Sequence, residues 1–210
     1  MAYDTAERAW LLRGLLVLQS PRAVFAALRD DSDDAARARQ EPVIAIVGLA
    51  GIAGVLWTPV AGRLLDDPAI DEVLVAVWAF VGGGFYGIAG YFVGGALLYA
   101  GLRSAGSAGS YRRARHLLAF AAAPIALSLL VVWPLRIAAF GSDVFRTGGD
   151  DGGRGDLVFA VLGLAFAAWS VGLLLVGTCT VHGWPWSRAA EGVGLAAALP
   201  ALVALAFWLL

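Results

Sequence analysis

The chain has 210 residues, 60% of them hydrophobic and 15% charged, with a mean hydropathy of +0.77. A soluble domain carries about 25% charged residues, so this composition excludes one and points to a membrane protein. The formal net charge of −1 excludes global attraction to nucleic acid, and a single cysteine, Cys179, excludes an internal disulfide and a cysteine-built zinc site.

Residues 1–40 read as a cytoplasmic amphipathic segment and 41–210 as one transmembrane domain. The N-terminus does not resemble a cleavable signal, because Arg8, Arg13 and Arg22 interrupt its apolar positions. At helical spacing Ala6, Trp10, Leu11, Leu15, Val17 and Leu18 lean to one side. Ser20-Pro21 then reads as an N-cap with proline at the first helical position, opening a second short helix through Val24, Phe25 and Leu28. Trp10, Leu11, Leu15 and Phe25 form the face expected at the membrane interface, with arginines towards anionic headgroups. The alternative is that both helices pack on cytoplasmic loops. The acidic run Asp30, Asp31, Asp33 and Asp34 reads as a solvated linker end.

Five stretches free of charge follow: Val43–Gly62, Val73–Leu102, Leu117–Leu135, Leu157–Val181 and Gly192–Leu210. A hydrocarbon core about 30 Å thick needs about 20 helical residues, so each is a candidate span. The second would reach about 45 Å as one helix, and Gly82 to Gly84 offer an alternative hairpin turn. Nothing charged lies there to face water, and Gly83, Gly87, Gly90, Gly94 and Gly101 keep helical spacing through the supposed turn. One long, tilted helix is expected, with that glycine stripe as a packing seam and Gly48, Gly51 and Gly54 as another. Pro124 and Pro134 predict a kink in the third span, with Ser128 as a partner for freed carbonyls.

Arginine counts set the orientation. Arg8, Arg13, Arg22, Arg29, Arg37, Arg39, Arg103, Arg112, Arg113, Arg115 and Arg188 fall on one side of a five-span topology. Arg63, Arg136, Arg146 and Arg154 fall on the other, mixed with acids. Eleven against four puts the N-terminus in the cytoplasm and Leu210 outside. The Gly148–Gly153 loop with its paired aspartates reads as solvated rather than as a cation site.

Chemistry is sparse. No acid or arginine lies near the middle of any span, where an ionisable group would be costly and usually functional. His116, His182 and Glu191 gather at cytoplasmic span ends beside Arg112, Arg113, Arg115 and Arg188. That cluster could hold a headgroup or another anion, or a metal on two histidines and a carboxylate; interfacial anchoring beside Trp184 and Trp186 is the simpler reading. Cys179 and His182 are three residues apart but have no orienting carboxylate, and no familiar catalytic motif is present. No catalytic residue, metal or cofactor is expected.

Three segments carry a family resemblance. Ser20-Pro21-Arg22 with Phe25 precedes the first span; Ser110-Tyr111-Arg112-Arg113 leads to Phe120-Ala121 and Pro124; Trp169-Ser170 with Leu173 and Gly177 precedes Trp186-Ser187-Arg188-Ala189-Ala190. In this order they resemble prokaryotic members of the Yip1-domain family of five-span membrane proteins. Eukaryotic members are associated with secretory-pathway membranes and prenylated small GTPases, as recruitment or shaping factors. The resemblance implies an all-α polytopic protein with a cytoplasmic N-terminus and no catalytic residues to transfer. The expected function is therefore non-enzymatic: a cell-membrane protein of a prokaryote that binds the bilayer and a membrane protein partner or a second copy. The alternative is a small transporter, channel or transporter subunit gated at the His116/His182/Glu191 end.

Overall fold

The computed structural model describes residues 12, 14–58, 61, 64, 67, 71–145 and 154–209. Among the described residues every regular element is helical. The short helices α1 (Pro21–Ala27) and α2 (Asp33–Ala38) lie ahead of α3 (Gln40–Leu56). Then come α4 (Glu72–Ala89), a π-helical turn (Gly90–Gly94), α5 (Gly95–Ser104), α6 (Tyr111–Ala121) and α7 (Ala123–Phe140). A 3-10 turn (Gly141–Phe145), α8 (Arg154–His182) and α9 (Trp186–Leu209) follow among the described residues.

Three helical stretches are long and apolar enough to cross a bilayer: Val73–Ser104, Tyr111–Phe140 and Leu157–His182, of 32, 30 and 26 residues. The 17 residues of α3 are apolar but shorter, reaching about 26 Å. Residues 192–209 of the fifth charge-free stretch lie in α9, which has Pro200 inside it.

The second apolar stretch is one continuous helix from Glu72 to Ser104, with no hairpin at Gly82 to Gly84. A turn at that depth would leave backbone groups without partners in hydrocarbon. What interrupts the α geometry is the π turn, one wide turn of a kind that often marks functional sites. The Tyr111 hydroxyl donates to the Phe92 carbonyl within it, at 2.8 Å. Pro124 sits in the first turn of α7, directly after the single residue, Ala122, that separates α6 from α7. Pro134 lies inside α7. Ser128 donates to the carbonyl of Ile125, three residues back, at 2.6 Å.

The chain divides into two compact units. The first comprises Met1–Ile44, Ala89–Ala121 and Val171–Leu210. Its core is built on Val24, Phe25, Leu28, Leu98, Leu102, Leu117 and Phe120, all at most 2% exposed. Phe25 and Leu117 both close on Gly177 of α8, where a Cβ would meet the Phe25 ring at 3.0 Å. Phe25, expected at the lipid interface, is thus a core residue: α1 turns this ring onto a groove that only glycine leaves open. Leu15 is 72% exposed, whereas Trp10 and Leu11 lie outside the described residues. Gly101 of α5 packs on α9, where its Cβ would stand 2.6 Å from the Ala196 nitrogen.

The second unit comprises Ala45–Ile88 and Ala122–Ser170. Here Gly83 and Gly87 of α4 face α3. A Cβ at Gly83 would lie 2.6 Å from the Ile52 Cα, and one at Gly87 would strike the Val47 carbonyl. Gly51 answers from α3, where a Cβ would come within 2.7 Å of the Gly87 backbone. Of the rest of the stripe, Gly94 meets Leu118 and Gly90 meets nothing within 4 Å. Gly83, Gly87 and Gly101 therefore let helices of this same chain approach closely, as expected where burial against lipid gains little.

Candidate functional site

The polar groups of the first unit gather around the start of α6. Ser32 caps α2 by accepting from the Ala35 N–H at 3.3 Å, and Asp30 accepts from the Ser32 N–H at 3.0 Å. These local bonds shape the link between α1 and α2, so that Asp31 and Arg39 turn towards α6. Arg39 is completely buried. Its Nε donates to His116 Nδ1 at 2.7 Å, its Nη1 to the Asp30 carbonyl at 2.7 Å and its Nη2 to Asp31 Oδ1 at 3.1 Å. His116 Nδ1 must carry a lone pair to accept that bond, which puts the ring proton on Nε2. A buried guanidinium is tolerable only with such complete pairing.

Asp31 has 14% of its side chain exposed and gathers four donors. Besides Arg39 it accepts from Arg112 Nε at 3.1 Å and from the Ser110 hydroxyl, while Arg112 Nη2 reaches the Asp31 carbonyl. Arg112 Nη1 also bonds Asp33 at 2.6 Å. Burial pushes the Asp31 carboxyl up, but the hydrogen bonds from Ser110 and Arg112 and the charges of Arg112 and Arg113 outweigh it, so it lies below the usual carboxylate value. The Arg112 hydrogen bond and charge lower Asp33 likewise. Burial pulls the Arg39 guanidinium below its ordinary value, with Asp31 opposing. The acidic run is therefore no solvated linker end at Asp31: it is the counter-charge for Arg39 and Arg112.

The same strap is tied to α8. Arg29 donates from Nε and Nη2 to the Thr180 carbonyl at 3.1 and 2.5 Å, capping a carbonyl that the helix end leaves without an amide. Arg113 Nη2 in turn donates to the Arg29 carbonyl at 3.0 Å. The α5 and α8 ends are closed by glycines in left-handed conformation, Gly106 at φ 92 and Gly183 at φ 66. Ser107 and Trp184 reach back to Leu102 and Cys179 at 2.8 and 3.2 Å.

The two histidines take different partners. His182 lies 3.4 Å from the Ser107 hydroxyl and stacks on Trp184 at 4.7 Å. Arg188 lies over that same indole at 4.4 Å and donates to the Ala105 carbonyl at 2.8 Å. Glu191 is exposed, and no hydrogen bond or ion pair joins it to either histidine among the described residues. Among the described residues no group of three histidines, cysteines or acids is placed to hold a metal. Arg115 takes a third environment, with its guanidinium carbon 5.0 Å from the Tyr91 ring, 4.8 Å from Phe92 and 4.6 Å from Tyr111. Sequence reasoning found Arg112, Arg113, Arg115 and His116 but missed Arg29, Asp31, Asp33, Arg39 and Ser110. The signal available was charge complementarity between the acidic run and the arginines that open α6.

A chain whose described elements are all helical, with three stretches long and apolar enough to cross a bilayer and Gly51, Gly83, Gly87 and Gly101 at close helix contacts, is an integral membrane protein of the multi-pass helical class. The model of the Yip1 domain matches residues 15–210. The chain belongs to the Yip1-domain family, and its place is in a membrane. No curated protein and no solved structure matches it.

Proposed function

We propose that this chain is a non-enzymatic, five-span protein of a prokaryotic cell membrane, with a cytoplasmic N-terminus, an outer C-terminus and a capacity to bind partners or organise the bilayer. The observation that carries this reading is the strap formed by α1 and α2. Asp31, Asp33, Arg29 and Arg39 of that strap and Arg112 and Arg113 of α6 bond one another, backbone carbonyls and His116, as in a scaffold whose parts must stay in register. Three helical stretches are long and apolar enough to cross, and α3 and α9 supply the remaining two spans in this reading. The association face is Leu15 with Trp10 and Leu11, because Phe25 is occupied in the core. The partner is a second copy of the chain or another membrane protein.

The test is purification of the full chain in native nanodiscs, followed by mass spectrometry of what stays bound. A second copy or a protein partner in fixed ratio, lost in a Leu15→Asp variant that still inserts, is the expected result. A monomer retaining one small solute, unaffected by that substitution, contradicts the reading and favours a transporter.

A further inference from the structure

Arg115 differs from its neighbours on α6. Arg112 and Arg113 donate to carboxylates or carbonyls, whereas Arg115 donates no hydrogen bond among the described residues. Its Nε is buried without an acceptor, yet the side chain as a whole stays partly exposed. What holds it is a box of three rings: Tyr91 and Phe92 from the π turn and Tyr111 from the first turn of α6. The box is built for this side chain. The wide turn places two consecutive residues, Tyr91 and Phe92, beside Arg115, and Tyr111 is fixed there by its bond to the Phe92 carbonyl. Gly95 leaves room for the stem, since a Cβ there would collide with Arg115 Cγ. The Tyr91 hydroxyl, too, has no hydrogen-bond partner among the described residues.

Ring faces attract a cation but accept few of the five N–H donors of a guanidinium. A planar guanidinium stacked on rings, with its donors unspent, has the form that recognises two oxygens of a phosphate at once. We propose that Arg115 in its aromatic box binds a phosphate-type anion, the phosphodiester of a phospholipid headgroup or free phosphate. The level suits a headgroup, because Arg115 stands two residues before the charge-free stretch that begins at Leu117. That placement rests on the five-span reading above, whereas the chemistry at Arg115 does not.

The experiment measures phenylglyoxal modification of arginines in the full chain, purified in a maltoside detergent and read by peptide mass spectrometry. Inorganic phosphate, short-chain phosphatidylglycerol or a galactolipid without phosphate is added in parallel. The expected result is that one or both phosphate sources slow modification at Arg115 by about tenfold at saturation, while the galactolipid and exposed Arg103 show little change. Slowing by phosphatidylglycerol alone assigns the anion to a headgroup; slowing by inorganic phosphate as well shows that free anion is accepted. Phe92→Leu, which removes one ring and no donor, weakens the protection. Three results overturn the proposal: unchanged Arg115 reactivity with both phosphate sources, equal slowing at Arg103, or an Arg115 that never reacts. These outcomes need no bilayer and no partner, so they stand apart from any failure of the topology or of partner binding.

Discussion

Arg39 and Asp31 show why the chemistry of this chain is structural at the scale of single residues. A fully buried arginine survives because His116, the Asp30 carbonyl and Asp31 accept from it, and removing Asp31 takes away its paired charge. Asp31→Ala should cost about 3 kcal/mol or more, read as a lower melting temperature in detergent. The double variant Asp31→Ala/Arg39→Met should cost clearly less than the sum of the single changes, because the two side chains share one interaction. The pH dependence has a definite sign. Asp31 and Asp33 titrate below their ordinary values in the folded chain, so their contribution is present at neutral pH. It is lost as pH falls through the folded values, and α1 and α2 should become accessible to protease below about pH 4 while remaining protected at pH 7. Little of this was legible in the sequence. Asp31 looks like any acid in a polar linker until Ser32 caps α2 and turns the chain, and its partner Arg112 lies 81 positions on.

At the scale of elements, length and charge-free runs were enough to anticipate the helices. The long second helix was legible because its glycines keep one face through the supposed turn. The π turn was not, since the sequence from Gly90 to Gly94 fits an α-helix equally well and only the backbone of the folded chain shows the wider turn. The same glycine composition hides two kinds of position. Gly87→Ala drives a Cβ into the Val47 carbonyl of α3 and should destabilise by about 1–3 kcal/mol. Gly84→Ala points into open space and should be neutral or stabilise by up to about 1 kcal/mol. Thermal melts of the two variants in one detergent separate them.

For the whole molecule, the low charge fraction first said only that the chain is a membrane protein, and the family match now says which kind. The arginine bias of eleven to four is the basis of the proposed orientation, but the fate of those arginines was not legible in the sequence. Arg29, Arg39, Arg112 and Arg113 are engaged by carboxylates, carbonyls and a histidine rather than left to face headgroups. Arg115, held by rings, donates no hydrogen bond among the described residues. The topology on which the proposed function rests has an odd number of spans, which makes it directly measurable. Reporters active on only one side of the membrane should be fused in turn before residue 1 and after Leu210 of the full chain. The account predicts a cytoplasmic signal at the N-terminus and an external signal at the C-terminus. Both reporters on the same side would mean an even number of crossings and would contradict it.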